Sequence, residues 1–311
     1  MKTRALLLAA SLFALASREA RAQEPSPTPT PTPALTPSTA PTAETSVIQC
    51  PRCHPGHWWE EPTRPFISLR LDAGYLYLKP RFSFGYGKPF ALWGGLDVVP
   101  LVTPDAAGGY SGLRLQIDWF EIRAGARYEH AFLRQFLSPK SSYDLIDLSE
   151  FTNHPSGYFD LEAEVGAAIP VGPGNVLVTG TVESIQGVTS GYYVFDETLH
   201  VVVDPPWVYR GRLGYALPFL PEKNARLGVV GEVIDIPNRQ AQVFRAGFVA
   251  TFDVDDHLQA IATVLAPIVT PDSLGLLGAD YTELGIRYRW VTEHTHIPQE
   301  LIPSGDTASA R

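Results

Sequence analysis

Residues 112–131, GLRLQIDWFEIRAGARYEHA, restrict the fold of this chain more than any other stretch. Leu113, Leu115 and Ile117 alternate with Arg114, Gln116 and Asp118. Past Asp-Trp-Phe-Glu, Ile122, Ala124, Ala126 and Tyr128 alternate with Glu121, Arg123, Arg127 and Glu129. Period-two alternation on both sides of a turn predicts a β-hairpin. With Ile117 opposite Ile122 across a four-residue turn, Leu115 meets Ala124, Leu113 meets Ala126 and Gln116 meets Arg123. One face of the hairpin is then wholly apolar and the other charged.

In a water-soluble sheet the charged face would meet solvent and the apolar face a core. In a barrel that crosses a bilayer the apolar face meets lipid and the charges line the lumen. The succession of strands favours the second arrangement. Ten are expected, at about 66–78, 112–117, 122–132, 157–169, 175–186, 207–217, 225–236, 242–253, 258–267 and 280–290. Their links alternate between long ones (79–111, 133–156, 187–206, 237–241, 268–279) and tight ones (118–121, 170–174, 218–224 and Asp255-Asp256-His257). Short turns on one side, long loops on the other and an even strand number are the layout of an outer-membrane barrel with both termini in the periplasm.

The composition agrees with strands and turns: Gly 26, Pro 28, 11% aromatic and only 18% charged residues. No apolar run is long enough for a helical membrane span. Lys2 and Arg4, an apolar run over 5–16 and Ala20-Arg21-Ala22 predict a secretory signal at 1–22. Residues 23–47 are almost entirely Pro, Thr, Ser and Ala, which predicts a disordered tether. A short segment at 48–65 then leads into the barrel at 66–290, and 291–311 form a C-terminal tail. The net charge of −9 becomes still more negative without the signal, so nucleic acid is not an expected partner.

Opposite the apolar stripes lie Arg70, Arg114, Arg123, Arg127, Arg210, Arg212, Arg245, Arg287 and Arg289, against Asp72, Asp118, Glu121, Glu129, Asp160, Glu162, Glu164, Glu232 and Glu283. The lysines fall in the signal and in expected links, at Lys2, Lys79, Lys88, Lys140 and Lys223. A planar guanidinium pairs two-pronged with a carboxylate, whereas Lys prefers water. Such a lattice fills a narrow lumen, and ten strands enclose one far narrower than a sixteen-stranded porin. The outward stripes include Phe244, Phe248 and Phe252, and Leu284, Ile286, Tyr288 and Trp290. Trp119, Phe120, Tyr75, Tyr77, Trp207 and Trp290 suit the two membrane interfaces.

From Phe66 to Trp290 the chain resembles the broad class of bacterial outer-membrane β-barrel proteins. The resemblance implies an all-β, up-and-down antiparallel transmembrane barrel in the outer membrane of a Gram-negative bacterium, with lipid as its first partner. Members of the class usually end on a terminal aromatic; here Trp290 closes the last strand but 291–311 follow.

The only two cysteines lie in Cys50-Pro51-Arg52-Cys53-His54, ahead of His57, Trp58 and Trp59. C-x-x-C-H resembles the attachment motif of c-type haem, in which two thiols form thioethers and the next His ligates iron. With Met1 the only methionine, His294 or His296 would supply the second axial ligand, and a periplasmic redox partner would follow. A disulfide, or zinc held by Cys50, Cys53, His54 and His57, are the alternatives. Beyond that segment no metal ligands are assigned.

Ten-stranded barrels include proteases of the omptin type, for which Asp97, Asp105, Asp144, Asp147, His154, His200 and Asp204 are candidate rim residues; their spacing marks no catalytic set. The expectation is a non-enzymatic barrel with no cofactor, or haem c, that acts at the cell surface through 79–111, 133–156 and 187–206 on an extracellular ligand that the sequence does not identify.

Overall fold

The computed structural model describes Trp58 and residues 60–74, 78–102, 106–132, 136–149, 156–220, 224–280 and 284–292. The expected signal and tether, Cys50, Cys53, His54, His57, Trp59, Tyr75, Tyr77, Asp105, His154, Glu283, His294 and His296 lie outside the described residues.

Twelve strands close into one antiparallel barrel. They are β1 (Arg64–Gly74), β2 (Leu78–Lys88), β3 (Leu92–Val102), β4 (Ala106–Ile117), β5 (Phe120–Ala131), β6 (Ser156–Val171), β7 (Gly174–Gln186), β10 (Trp207–Leu220), β11 (Ala225–Ile236), β12 (Ala241–Asp253), β13 (Leu258–Val269) and β14 (Gly285–Val291). Each pairs with its neighbours in chain order, and β14 closes on β1 from Ser68↔Val291 to Gly74↔Gly285. Two more strands, β8 (Val194–Asp196) and β9 (Val201–Val203), form a separate hairpin inside the β7–β10 connection.

Twelve strands rather than ten is a correction, and its cause is local. The expected long link 79–111 contains β2 and β3, whose interiors carry Pro80, Gly94-Gly95 and Pro100. Prolines lack a donor for the ladder. Here both fall where the β2–β3 seam has no paired residues, between Leu78↔Val102 and Phe82↔Val98. The glycines make room: a Cβ on Gly85 would come within 2.7 Å of the Trp93 ring, and one on Gly95 within 2.2 Å of a backbone oxygen of β2.

The hairpin 112–131 is present with a different register. Ile117 pairs with Phe120, Leu115 with Ile122, Leu113 with Ala124 and Arg114 with Arg123, so Asp118 and Trp119 alone make the turn. Because this register differs by two residues from the one expected, every side chain keeps its face.

The two faces of the barrel are inverted relative to a water-soluble protein. Leu113 is 68% exposed and Val229 67%, while Asp160 is 0% and Asp97 1% exposed. Phe82, Phe84, Tyr86, Phe244, Phe248, Ile286 and Tyr288 also point outward, with Trp119, Trp207 and Trp290 near strand ends.

At the end where β1 begins and β14 stops, connections are short: 89–91, 118–119, 172–173, 221–224 and 254–257. The opposite end carries the long ones, 132–155, 187–206 and 270–284. Their described parts hold a one-turn helix α1 (Leu145–Ser149), the β8–β9 hairpin and a 3-10 turn at Gly275–Gly278.

Candidate functional site

The lumen is the most distinctive chemical environment of the barrel. Each strand turns alternate residues inward, and these carry the charges. Arg287 donates to both oxygens of Asp72, at 2.7 and 3.3 Å, and Arg70 reaches the same carboxylate at 3.3 Å. Arg114 bridges Asp97 at 3.2 Å and Glu121 at 3.0 Å. Arg123 pairs with Glu162 at 2.7 Å and Glu164 at 3.0 Å, and Arg210 meets Glu164 at 3.4 Å. Arg127 bonds Glu162. Glu232 receives both Arg212 and Arg245, and Arg212 also bonds Asp280. Arg289 donates to Gln259 at 2.9 Å. Alternating cations and anions on adjacent strands keep most of these desolvated charges paired.

Three placements differ from those expected. Asp118 belongs to the β4–β5 turn rather than to a strand face. Lys79 and Lys88 are no link residues: both lie on β2, and Lys79 lines a lumenal cavity of about 30 Å³ with Arg123, Arg127 and Glu162. Arg81, Asp97 and Glu183 are further buried inward-facing charges, beyond those expected of the lattice. The alternation in RFSFGYG would have found Arg81 had the prolines not argued for a loop.

The β8–β9 hairpin folds into the long-loop mouth, which corrects the expectation of a surface loop at 187–206. One face, with Val194, Leu199, Val201 and Val203, packs on Tyr158, Ile185, Val208, Ile234, Ile236 and Val243 of the inner wall. The other, with Phe195 and Val202, packs under Leu137, Tyr143, Leu148 and Leu274 of the neighbouring links. Polar pins lock it in place. Arg245 donates to the carbonyls of Leu199 at 2.8 Å and His200 at 3.0 Å. Arg127 donates to Thr198 Oγ1 at 2.6 Å, and Glu197 N–H donates to Glu129 at 3.3 Å. The Asp196 carboxylate accepts from the N–H groups of Thr198 and Leu199, closing its own turn.

Above the hairpin, Arg239 ties the links together. Its guanidinium grips Asp272, donates to the carbonyl of Val202 at 3.1 Å and lies over Tyr143, 5.1 Å from the ring centre. Nothing in the sequence singles this arginine out; it is one residue of a four-residue link. Tyr143 is pushed up to about 12 by burial. An outward-opening concavity of about 620 Å³ beside Arg239 is lined by Lys140, Tyr193, Gln242 and Thr270.

At the other mouth Trp58 is 2% exposed among Phe66, Trp93 and Val291, with Phe90 against its ring and its indole N–H donating to the Asp256 carbonyl at 3.2 Å. Among the described residues, the candidate rim residues of a hydrolase do not converge. Asp97 accepts from Ser83 at 2.7 Å inside the lumen, Asp144 and Asp147 cap the start of α1, and His200 is buried.

His200 Nδ1–H donates to the Leu277 carbonyl at 2.9 Å, and burial holds its imidazole below the usual range. A base whose folded-state pKa is lowered stabilises the fold fully above its unfolded value, near 6.5, and loses that contribution as pH falls below it. Acidification from pH 7.5 to 5 is therefore expected to increase protease cleavage within 187–206 in the parent, and a His200→Gln variant should lack this pH dependence.

No protein-family model and no curated protein matches the chain. Among solved structures it is similar to the NanC porin in a rhombohedral crystal form, with a TM-score of 0.34 and 10% identity, covering 72% of this chain and 97% of that one.

Proposed function

We propose that the protein is a non-enzymatic outer-membrane β-barrel, closed to bulk diffusion, that presents its loop end for binding. The observation that carries this reading is the inversion of its faces: bulky apolar side chains such as Leu113, Val229 and Phe248 turned outward around a lumen of paired arginines and carboxylates. A monomer in water rarely exposes contiguous apolar surface beyond a few hundred Å², and a girdle around every wall calls for hydrocarbon. Closure follows from the hairpin in one mouth, Trp58 in the other and the ion pairs between them. The concavity beside Arg239, with Lys140 and Tyr193, offers cationic and aromatic groups to an extracellular ligand.

Planar-bilayer recording tests the closed lumen. The purified full chain, shown to have inserted by a heat-dependent shift in electrophoretic mobility, is expected to give no large, steady conductance. A stable open level comparable with that of a general porin would refute the reading.

A further inference from the structure

On the inner face of β6 and β7 three carboxylates converge. Glu162 and Glu183 are direct cross-strand partners, and Asp160 lies two residues along β6 on the same face. One oxygen from each lies within 4.8 Å of the other two. Like charges placed opposite each other on a sheet repel. A carboxylate taken out of water needs a donor, a cation or a proton.

Glu162 has cations, Arg123 at 2.7 Å and Arg127. Asp160 has a distant contact with Arg127, at 3.7 Å, whose guanidinium already bonds Glu162 and Thr198, and a loose one with the backbone N–H of Ser184. Both oxygens of Glu183 lack a hydrogen-bond partner among the described residues, although the residue is only 2% exposed, and the fully buried Asp160 makes no bond of good geometry. Asp196 of the hairpin brings a further negative charge to bear on Glu183, and its own oxygens are taken by Thr198, Leu199 and Tyr158.

We infer that Asp160, Glu162 and Glu183 form a divalent-cation site inside the barrel, beneath the β8–β9 hairpin, and that Ca²⁺ is the ion it takes. The donors are all carboxylate oxygens, which select a hard cation over thiolate- or imidazole-seeking metals. Ca²⁺ accepts about six to eight oxygens in a flexible geometry, whereas Mg²⁺ demands a near-ideal octahedron and keeps several waters, so carboxylates held by two strands suit Ca²⁺ better. An ion there neutralises the buried carboxylates and ties β6 and β7 together under the hairpin. The inference goes beyond the membrane reading and does not depend on it.

Isothermal titration of the chelator-treated full chain in detergent with CaCl2, with MgCl2 as comparator, tests it. One Ca²⁺ per chain is expected, with a higher thermal midpoint in Ca²⁺ and weaker binding of Mg²⁺. Glu183→Gln and Asp160→Asn should each weaken Ca²⁺ binding by about tenfold or more, the loss that disturbing a metal site typically brings. Each also removes a repulsive charge, so in chelator both variants are expected to melt no lower than the parent, which separates loss of the ion from loss of the fold. No heat of Ca²⁺ binding by the parent at millimolar concentrations would mean that protons alone neutralise the cluster. Unchanged affinity in both variants would place the ion elsewhere. Either result overturns the site.

Discussion

Excising residues 190–204 and joining β7 to β10 through a short Gly-Ser turn is expected to raise the conductance in planar bilayers well above that of the parent, whose lumen we propose is closed. The hairpin fills the loop-end mouth with Val194, Leu199, Val201 and Val203 against the inner wall. Burying an aliphatic side chain is worth about 1.5–3 kcal/mol, so losing four of them lowers the thermal midpoint markedly. The barrel itself survives, because the β7–β10 ladder begins outside the excised segment, at Trp207↔Ser184. Arg245 gives up its bonds to the Leu199 and His200 carbonyls but keeps Glu232, and Arg127 gives up Thr198 but keeps Glu162. The wall left open carries Glu129, Asp160 and Glu183, none of them 3% exposed in the intact protein. The new conductance is therefore expected to prefer cations. A variant that still shows the heat-dependent mobility shift yet conducts no more than the parent would show that the hairpin is not what closes the lumen.

How the closure is built was only partly legible in the sequence. The 112–131 hairpin announces itself because its polar and apolar residues alternate without interruption, and a two-residue difference in register leaves both faces intact. The arginine lattice was readable for the same reason: Arg123 and Glu164 sit on inward positions of strands that pair with each other. β2 and β3 were hidden because Pro80, Pro100 and Gly94-Gly95 are ordinarily breaker signals. Only the pairing of the folded sheet reveals that the prolines occupy an unpaired gap and that Gly85 faces Trp93. The inserted hairpin carries a sequence signal, the apolar residues Leu199 and Val201–Val203 within an otherwise loop-like stretch. A segment with both faces apolar has no stable place in water, and here both are covered. Arg239 and Asp272 had no such signal. Their importance comes from four links meeting at one point, which is a property of tertiary structure alone.

Leu113→Arg is expected to be among the most damaging single substitutions on the outer wall, although it touches no buried group. Leu113 lies near the middle of β4, between Leu96 of β3 and Ala124 of β5, and is 68% exposed. An arginine facing hydrocarbon near the bilayer midplane costs about 2–4 kcal/mol. The same change at an exposed position in water stays within about 0.5 kcal/mol. Leu145→Arg, at a 55% exposed site on α1 outside the strands, provides the matched control. Folding into phosphatidylcholine vesicles across a urea series should move the Leu113→Arg midpoint strongly downward and leave Leu145→Arg near the parent. The contrast isolates the medium that the outer wall meets, since both substitutions add the same charge at an exposed leucine. Equal, small effects at the two sites would mean that the outward apolar residues do not meet lipid, and the membrane assignment would fall with them.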